Sequence, residues 1–316
     1  MEQSLRLHCG ELVEVRSMEE ILRTLDANGK LDGLPFMAEM MRFCGGTYRV
    51  FKRADRTCCP PYKARGMNDT VWLEDVRCDG SSHEGCGAFC AFFWKEAWLK
   101  RAPANAVVAD AKPAADLVSL QTKTRDQETG KYLCQASELP GATYPLGIRG
   151  NLRTYAMDLW YGNFTMKEFF KVNLLWAWAK LPPYKKGKRC TWLVGTLTKT
   201  PTESLDLQPG ELVEVKSLDE IMATLSTFGQ NRGLAFQPEM REFCGKRYRV
   251  LARLNCIINE LNGEMIKSKN TVLLNGVTCD GVCRRGCGRR GYTYWREIWL
   301  RRVTDGDATA SSSASS

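Results

Sequence analysis

The chain repeats itself. Gly10–Leu25, GELVEVRSMEEILRTL, returns two hundred positions later and without a gap as Gly210–Leu225, GELVEVKSLDEIMATL. The register holds through GLPFMAEMMRFCGGTYRV (Gly33–Val50) and GLAFQPEMREFCGKRYRV (Gly233–Val250). After a loop of different length, NDTVWLEDVRCDG (Asn68–Gly80) is matched by KNTVLLNGVTCDG (Lys269–Gly281). Similarity this long and in register marks two copies of one module.

Each copy reads as a short α+β unit. ELVEV alternates as a half-buried strand does. Ser17 with Glu20, and Ser217 with Glu220, have the spacing of a capping box at the start of a helix. TYRVFKR and RYRVLAR predict a second strand, and TVWLEDV and TVLLNGV a third. WKEAWLKR and WREIWLRR place Trp94/Trp98 and Trp295/Trp299 on one face of a helix or of a strand. Short strands joined through CGG or CGK predict a small curved sheet, by analogy an SH3-like partial barrel.

The expected organisation is module one over 8–102, a linker over 103–118 rich in Ala and Pro, and a unique insert over 119–205. That insert is mixed in character, with a helix near 166–180. Module two then covers 206–303, and a small polar tail, 304–316, is expected to be disordered.

Hydrophobic content of 44% and charged content of 26% suit a globular chain of 316 residues with more than one core. The net charge of +9 leaves room for an anionic partner without demanding one. MEQSLRLHCGELVEV has no basic stretch ahead of an apolar run, and no apolar run reaches membrane length, so a cytoplasmic protein is expected. In that compartment, 14 cysteines are better read as metal ligands or reactive thiols than as a disulfide framework.

The duplication is an internal control on those cysteines. Cys44 matches Cys244, Cys78 matches Cys279, Cys86 matches Cys287, and Cys58 (or Cys59) has its equivalent in Cys256. Four recurring thiols per copy can close a tetrahedral zinc shell or hold an iron–sulfur cluster. His83 and Cys90 in the first copy, and Cys283 in the second, are spare donors. Gly87 and Gly288 after the closing cysteines supply a backbone free to turn. Buried inert thiols are the alternative, because a duplicated core repeats its cysteines too. A Cys–His dyad of His83 with Cys86 or Cys90 is the catalytic alternative. No HExxH, GxSxG, P-loop or GxGxxG pattern offers another active site.

The tryptophan pairs Trp94/Trp98 and Trp295/Trp299 are expected in the core, with Glu96 and Glu297 solvated; an aromatic binding surface is the other reading. RRGCGRRG, with Arg289 and Arg290, interleaves cations with aromatics as a single-stranded nucleic-acid site does. The first copy has HEGCGAFC there, which disfavours nucleic acid as the module's partner. Phe169–Arg189 clusters Phe, Leu and Trp ahead of a basic run, a pattern that suits either peripheral contact with an anionic membrane or a buried packing helix.

The CDG…C…FWKEAWL ending, together with GELVEV and FCGG-YRV, resembles a family of uncharacterised bacterial cysteine-rich tandem-repeat proteins found near biosynthetic genes. The resemblance covers both repeats and the insert. It implies no established activity, so no catalytic residue transfers; Cys283 and the arginine cluster depart from it. The expectation is a non-catalytic accessory protein with two cysteine-ligated zinc modules and a protein or peptide partner. A metal-dependent or iron–sulfur redox enzyme using the first module, and a nucleic-acid binder using the second, are the alternatives.

Overall fold

Residues 4–59, 63–103, 105–110, 124–180, 190–284 and 286–303 are described by a computed structural model. They divide into two compact units. Unit 1 comprises residues 1–173 with 257–266 and 284–291; unit 2 comprises 174–256, 267–283 and 292–316.

In unit 1 the alternation of ELVEV becomes strand β1 (Leu12–Val15), with Val13 and Val15 fully buried. Ser17 then caps helix α1 (Met18–Leu22): its hydroxyl accepts the Glu20 N–H, and the Glu20 carboxylate accepts the Ser17 N–H. A two-residue hairpin, β2 (Lys30–Leu31) and β3 (Leu34–Pro35), leads into a 3-10 turn over Ala38–Phe43. Strands β4 (Thr47–Arg53), β5 (Arg56–Cys59), β6 (Lys63–Gly66), β7 (Thr70–Leu73), β8 (Trp94–Lys95) and β9 (Leu99–Arg101) follow. The main sheet has the order β8-β7-β4-β1-β9 and is antiparallel throughout. Its β4–β7 register shifts between Val50 and Lys52, a bulge that bends the sheet into a half-barrel.

WKEAWLKR is neither a helix nor one strand. It is β8, a single 3-10 turn over Glu96–Trp98, and β9. The turn drives Trp94 and Trp98 into the core, where both are fully buried and meet Phe36 edge-to-face; Phe43 and Phe92 also pack on Trp94. Glu96, expected in solvent, is buried as well. Its carboxylate accepts the N–H groups of Arg6 (2.8 Å) and Leu7 (3.0 Å) and the Ser4 hydroxyl (2.9 Å), and it pairs with Arg53. The acid therefore ties the segment before β1 to the barrel.

The insert does not stand apart as a domain. Helix α2 (Gln135–Ala142) packs Leu139, Ala136 and Ala142 into the same core, and the buried Gln135 exchanges hydrogen bonds with Phe93 N–H and C=O at 2.8 Å each. Strand β10 (Tyr144–Pro145) joins β6 in a sheet ordered β10-β6-β5. Helix α3 (Ile148–Trp160) supplies Asp158, whose carboxylate meets the buried Arg56 at 2.7 Å. Helix α4 (Met166–Lys180) forms where a helix was expected, with Phe170 and Leu174 exposed; residues 181–189 of the amphipathic stretch lie outside the described residues. No helix is long and apolar enough to cross a membrane among the described residues. Of the expected linker, Ala109 bridges to Thr47, and 111–118 lie outside the description, as does the tail 304–316.

Unit 2 has the same order of elements. Strand β11 (Leu212–Val215), helix α5 (Leu218–Met222), the pair β12 (Gln230–Asn231) and β13 (Leu234–Ala235), and a 3-10 turn over Pro238–Phe243 lead to β14 (Arg247–Arg253). Then come β15 (Cys256–Ile258) and β16 (Met265–Lys267), most of whose residues belong to unit 1, and β17 (Thr271–Thr278), β18 (Tyr292–Arg296) and β19 (Leu300–Arg302) of unit 2. The sheet order β18-β17-β14-β11-β19 and its shift between Val250 and Ala252 match those of unit 1 position for position. Trp295 and Trp299 are fully buried against Phe236. All four tryptophans are therefore core, not a binding surface. Glu297 is buried too, accepting the N–H groups of Leu205, Asp206 and Leu207 at 2.6–3.1 Å.

Candidate functional site

The residues that follow β7 in unit 1 form a long loop, and its start is folded around Cys78. The Gly80 N–H donates to Cys78 Sγ at 3.3 Å, while the Gly80 carbonyl accepts the N–H groups of His83 (2.9 Å) and Gly85 (3.0 Å). Gly80 has φ +68°, and a Cβ there would lie 2.2 Å from the Cys86 carbonyl oxygen. No side chain fits. A glycine is thus required directly after Cys78-Asp79. Asp79 pairs with Arg42, and Cys78 N–H donates to the Cys90 carbonyl at 2.9 Å, which closes the loop at its far end.

This loop and α2 bring Cys78, Cys86, Cys90 and Cys134 to one cavity of about 30 Å³, with apolar walls that include Met37, Phe92, Phe93 and Ile258. Cys134 caps the N-terminus of α2, where its sulfur accepts the backbone N–H of Ser137. Burial and the nearby Glu39 and Cys90 push the Cys78 thiol far up; burial also lifts Cys90, to about 12, and raises Cys134. Each of these three thiols feels Cys86 electrostatically. Arg289 reaches the same wall, with Nη2 3.9 Å from Cys90 Sγ and its guanidinium forked on Glu260 at 2.7 and 3.0 Å. Among the described residues, no three His, Cys, Asp or Glu side chains stand close enough together to hold one ion.

His83 lines the cavity but has both nitrogens engaged. Nδ1 is 2.6 Å from Glu39 Oε1, and Nε2 is 3.1 Å from the Leu133 carbonyl. Burial lowers its pKa, yet the Glu39 carboxylate and that carbonyl outweigh burial, so the net shift is upward. An imidazole held between two acceptors is a clamp joining the loop, the first 3-10 turn and the insert. It has no nitrogen left for a metal or for a catalytic dyad with Cys86 or Cys90.

The other expected ligands are dispersed. Cys44, buried at the end of the first 3-10 turn and raised to about 11 by burial, belongs to the core of unit 1 and does not line the cavity. Cys58 meets Cys287 instead: their Sγ atoms are 3.3 Å apart, and the Cys58 N–H donates to Cys287 Sγ, also at 3.3 Å. The hydrogen bond with Cys58 first, and then the Arg289 N–H and guanidinium, hold Cys287 below an ordinary thiol despite its burial. Cys287 was expected with Cys244, Cys256 and Cys279, yet it belongs to unit 1.

Cys283 is bonded to Cys190 in a disulfide, a pairing not expected from the sequence. In unit 2, Cys279 Sγ accepts the Gly281 N–H at 3.3 Å and lies 3.9 Å from Glu239, while Cys244 ends a 3-10 turn and Cys256 opens β15. Two of the five thiols assigned to the second shell are therefore engaged elsewhere. Arg289 is buried on Glu260, and Arg290 lies 4.4 Å over the Phe51 ring, so neither joins a basic face of the second module.

Sequence reasoning missed Cys134 and Gln135. Both occur once, in the insert, so the comparison of copies is blind to them; the signal was a cysteine opening a helical stretch. No family model, curated protein or solved structure matches the chain.

Proposed function

We propose that the chain is a binding protein built on a duplicated SH3-like unit, and that unit 1 is stapled by one zinc ion through Cys78, Cys86, Cys90 and Cys134. The carrying observation is that four thiols from the loop and the insert line one ion-sized cavity. Its volume of about 30 Å³ admits one or two waters or an ion, far below the roughly 300 Å³ where small-molecule sites begin. Four thiolates are a soft donor set, which suits borderline-soft zinc and not hard magnesium or calcium.

Coordination requires the thiols to turn inward from the positions described, a rotation about each Cα–Cβ bond. The surroundings favour it. N–H groups of Gly80 and Ser137 already point at two of the sulfurs, and Arg289 faces a third with a positive charge that offsets a tetrathiolate. With all four positions taken by protein, such a site is structural, and the metal joins insert to barrel.

Elemental analysis and cobalt substitution test this. About one zinc per chain is expected, together with an intense thiolate-to-cobalt absorption that Cys134→Ser abolishes. Metal-free protein after purification with zinc supplied overturns the reading. So does iron with sulfide and a broad visible band, which would make unit 1 a redox centre. Metal that survives Cys134→Ser and Cys90→Ser unchanged would move the site away from this cavity.

A further inference from the structure

The two copies differ in charge where the β2–β3 or β12–β13 turn meets the start of β7 or β17. In unit 1 this place is neutralised. Lys95 Nζ is 2.9 Å from Asp32 and 3.2 Å from the Asn68 carbonyl; the Ser4 hydroxyl is 2.6 Å from Asp69; the Tyr144 hydroxyl is 3.0 Å from the Asn68 side chain. In unit 2 the same positions are Arg296 for Lys95, Arg232 for Asp32, Lys269 for Asn68 and Asn270 for Asp69. The backbone is unchanged: Asp32 and Arg232 have φ +50° and +47°, and Asp69 and Asn270 have +46° and +51°. Both acids are gone and the cations have multiplied on one scaffold.

What stands there in unit 2 is a pocket of about 420 Å³ lined by Arg232, Lys267, Lys269, Arg296, Ser268 and Asn270, among others. Arg296 is held at its base by neutral acceptors: the carbonyls of Asn231 (3.3 Å), Lys269 (2.7 Å) and Arg232 (2.8 Å), and the Thr271 hydroxyl (2.8 Å). Among the described residues, none of these four cations has a carboxylate partner. The one carboxylate of the lining, Glu203, faces Lys216 at 3.1 Å. Burial and the neighbouring Arg232 lower the Arg296 pKa, as expected where like charges meet without a counter-ion.

We infer that this pocket binds a small molecule bearing a phosphate group. The volume lies in the range of small-ligand sites, roughly 300–1,000 Å³. Exposed Arg232, Lys267 and Lys269 supply separate cations for a doubly charged oxyanion, and the Ser268 hydroxyl and Asn270 amide add neutral donors. A concave pocket, not an extended groove interleaved with aromatics, favours a compact phosphate ester over a nucleic-acid strand. The inference concerns unit 2 alone and is independent of the zinc reading.

Calorimetric titration of the full chain with inorganic phosphate, pyrophosphate and a sugar phosphate, at low and at physiological salt, tests it. Binding by the wild type is expected, and R232D or K269N should weaken it by on the order of tenfold, the worth of one charge-assisted hydrogen bond. Both side chains are exposed, so unchanged circular dichroism and melting should accompany the loss. Absence of binding overturns the inference, as does equal binding by R232D and K269N. Binding of a single-stranded oligonucleotide with none of the small phosphates also overturns it, in favour of a polymer.

Discussion

Replacing Glu96 with glutamine removes one charge from a fully enclosed cluster. The carboxylate serves the Ser4 hydroxyl, two backbone N–H groups and Arg53, and is 2% exposed. The amide keeps one acceptor oxygen but turns an NH₂ toward donors that then have nothing to meet. Stranding one partner of a buried pair costs about 3–5 kcal/mol. Arg53 keeps Asp55, at 2.7 and 3.1 Å, so E96Q should lose less, about 2–4 kcal/mol. Burial pushes the Glu96 carboxyl up, but Arg53, the Leu7 N–H and Ser4 outweigh it and leave it below the ordinary value of 4.5. A depressed carboxyl contributes stability above its unfolded pKa and loses it as pH falls through the folded one. The gap between wild type and E96Q should therefore be full at about pH 7 and close progressively below pH 4.5. Urea unfolding followed by tryptophan fluorescence measures it, and amide exchange at Leu7 localises it. A loss below about 1 kcal/mol, or a gap that does not change with acid, would refute the assignment of Glu96 as an ionised tether.

Gly80→Ala should open the Cys78–Cys86 loop, since both its positive φ and the 2.2 Å approach to the Cys86 carbonyl oppose a side chain. Zinc content should fall and melting drop by several degrees, corresponding to about 1–3 kcal/mol; full zinc in G80A would sink the loop geometry. Cys58 and Cys287, 3.3 Å apart, should cross-link first under a small disulfide oxidant. The chain then loses two hydrogens as the oxidant is reduced to two thiols, and peptide mapping identifies the bond. Another pair forming faster would contradict the assigned contact.

The fold was legible where the chemistry was periodic. The alternation of ELVEV and the Ser17/Glu20 box became the strand and capped helix expected of them. The WKEAWLKR stretch misled because its tryptophans fit two geometries, and because an acid between them reads as surface until four donors are found to need it. Of the cysteines matched by register, Cys78 and Cys86 line one cavity, joined there by Cys90, which the sequence offered only as a spare donor. The same reading misassigned Cys287 and Cys283, because equal register says nothing about which neighbour a loop packs against. The insert's contribution, Cys134 and Gln135, had no second copy to reveal it.

Unit 1 has a consequence for how the chain is made. Its core includes Ile258, and Cys58 finds its neighbour 229 residues downstream. During synthesis, at roughly 5–20 residues per second, the N-terminal barrel emerges long before residues 257–266 and 284–291 exist to complete it. Its nascent form must wait with part of its surface uncovered and its thiols unpaired, a window measured in tens of seconds at those rates. A chaperone or an early metal ion arriving in that interval would act on an incomplete unit. Ribosome-bound chains stopped before and after residue 291 should accordingly differ in protease resistance within the first hundred residues.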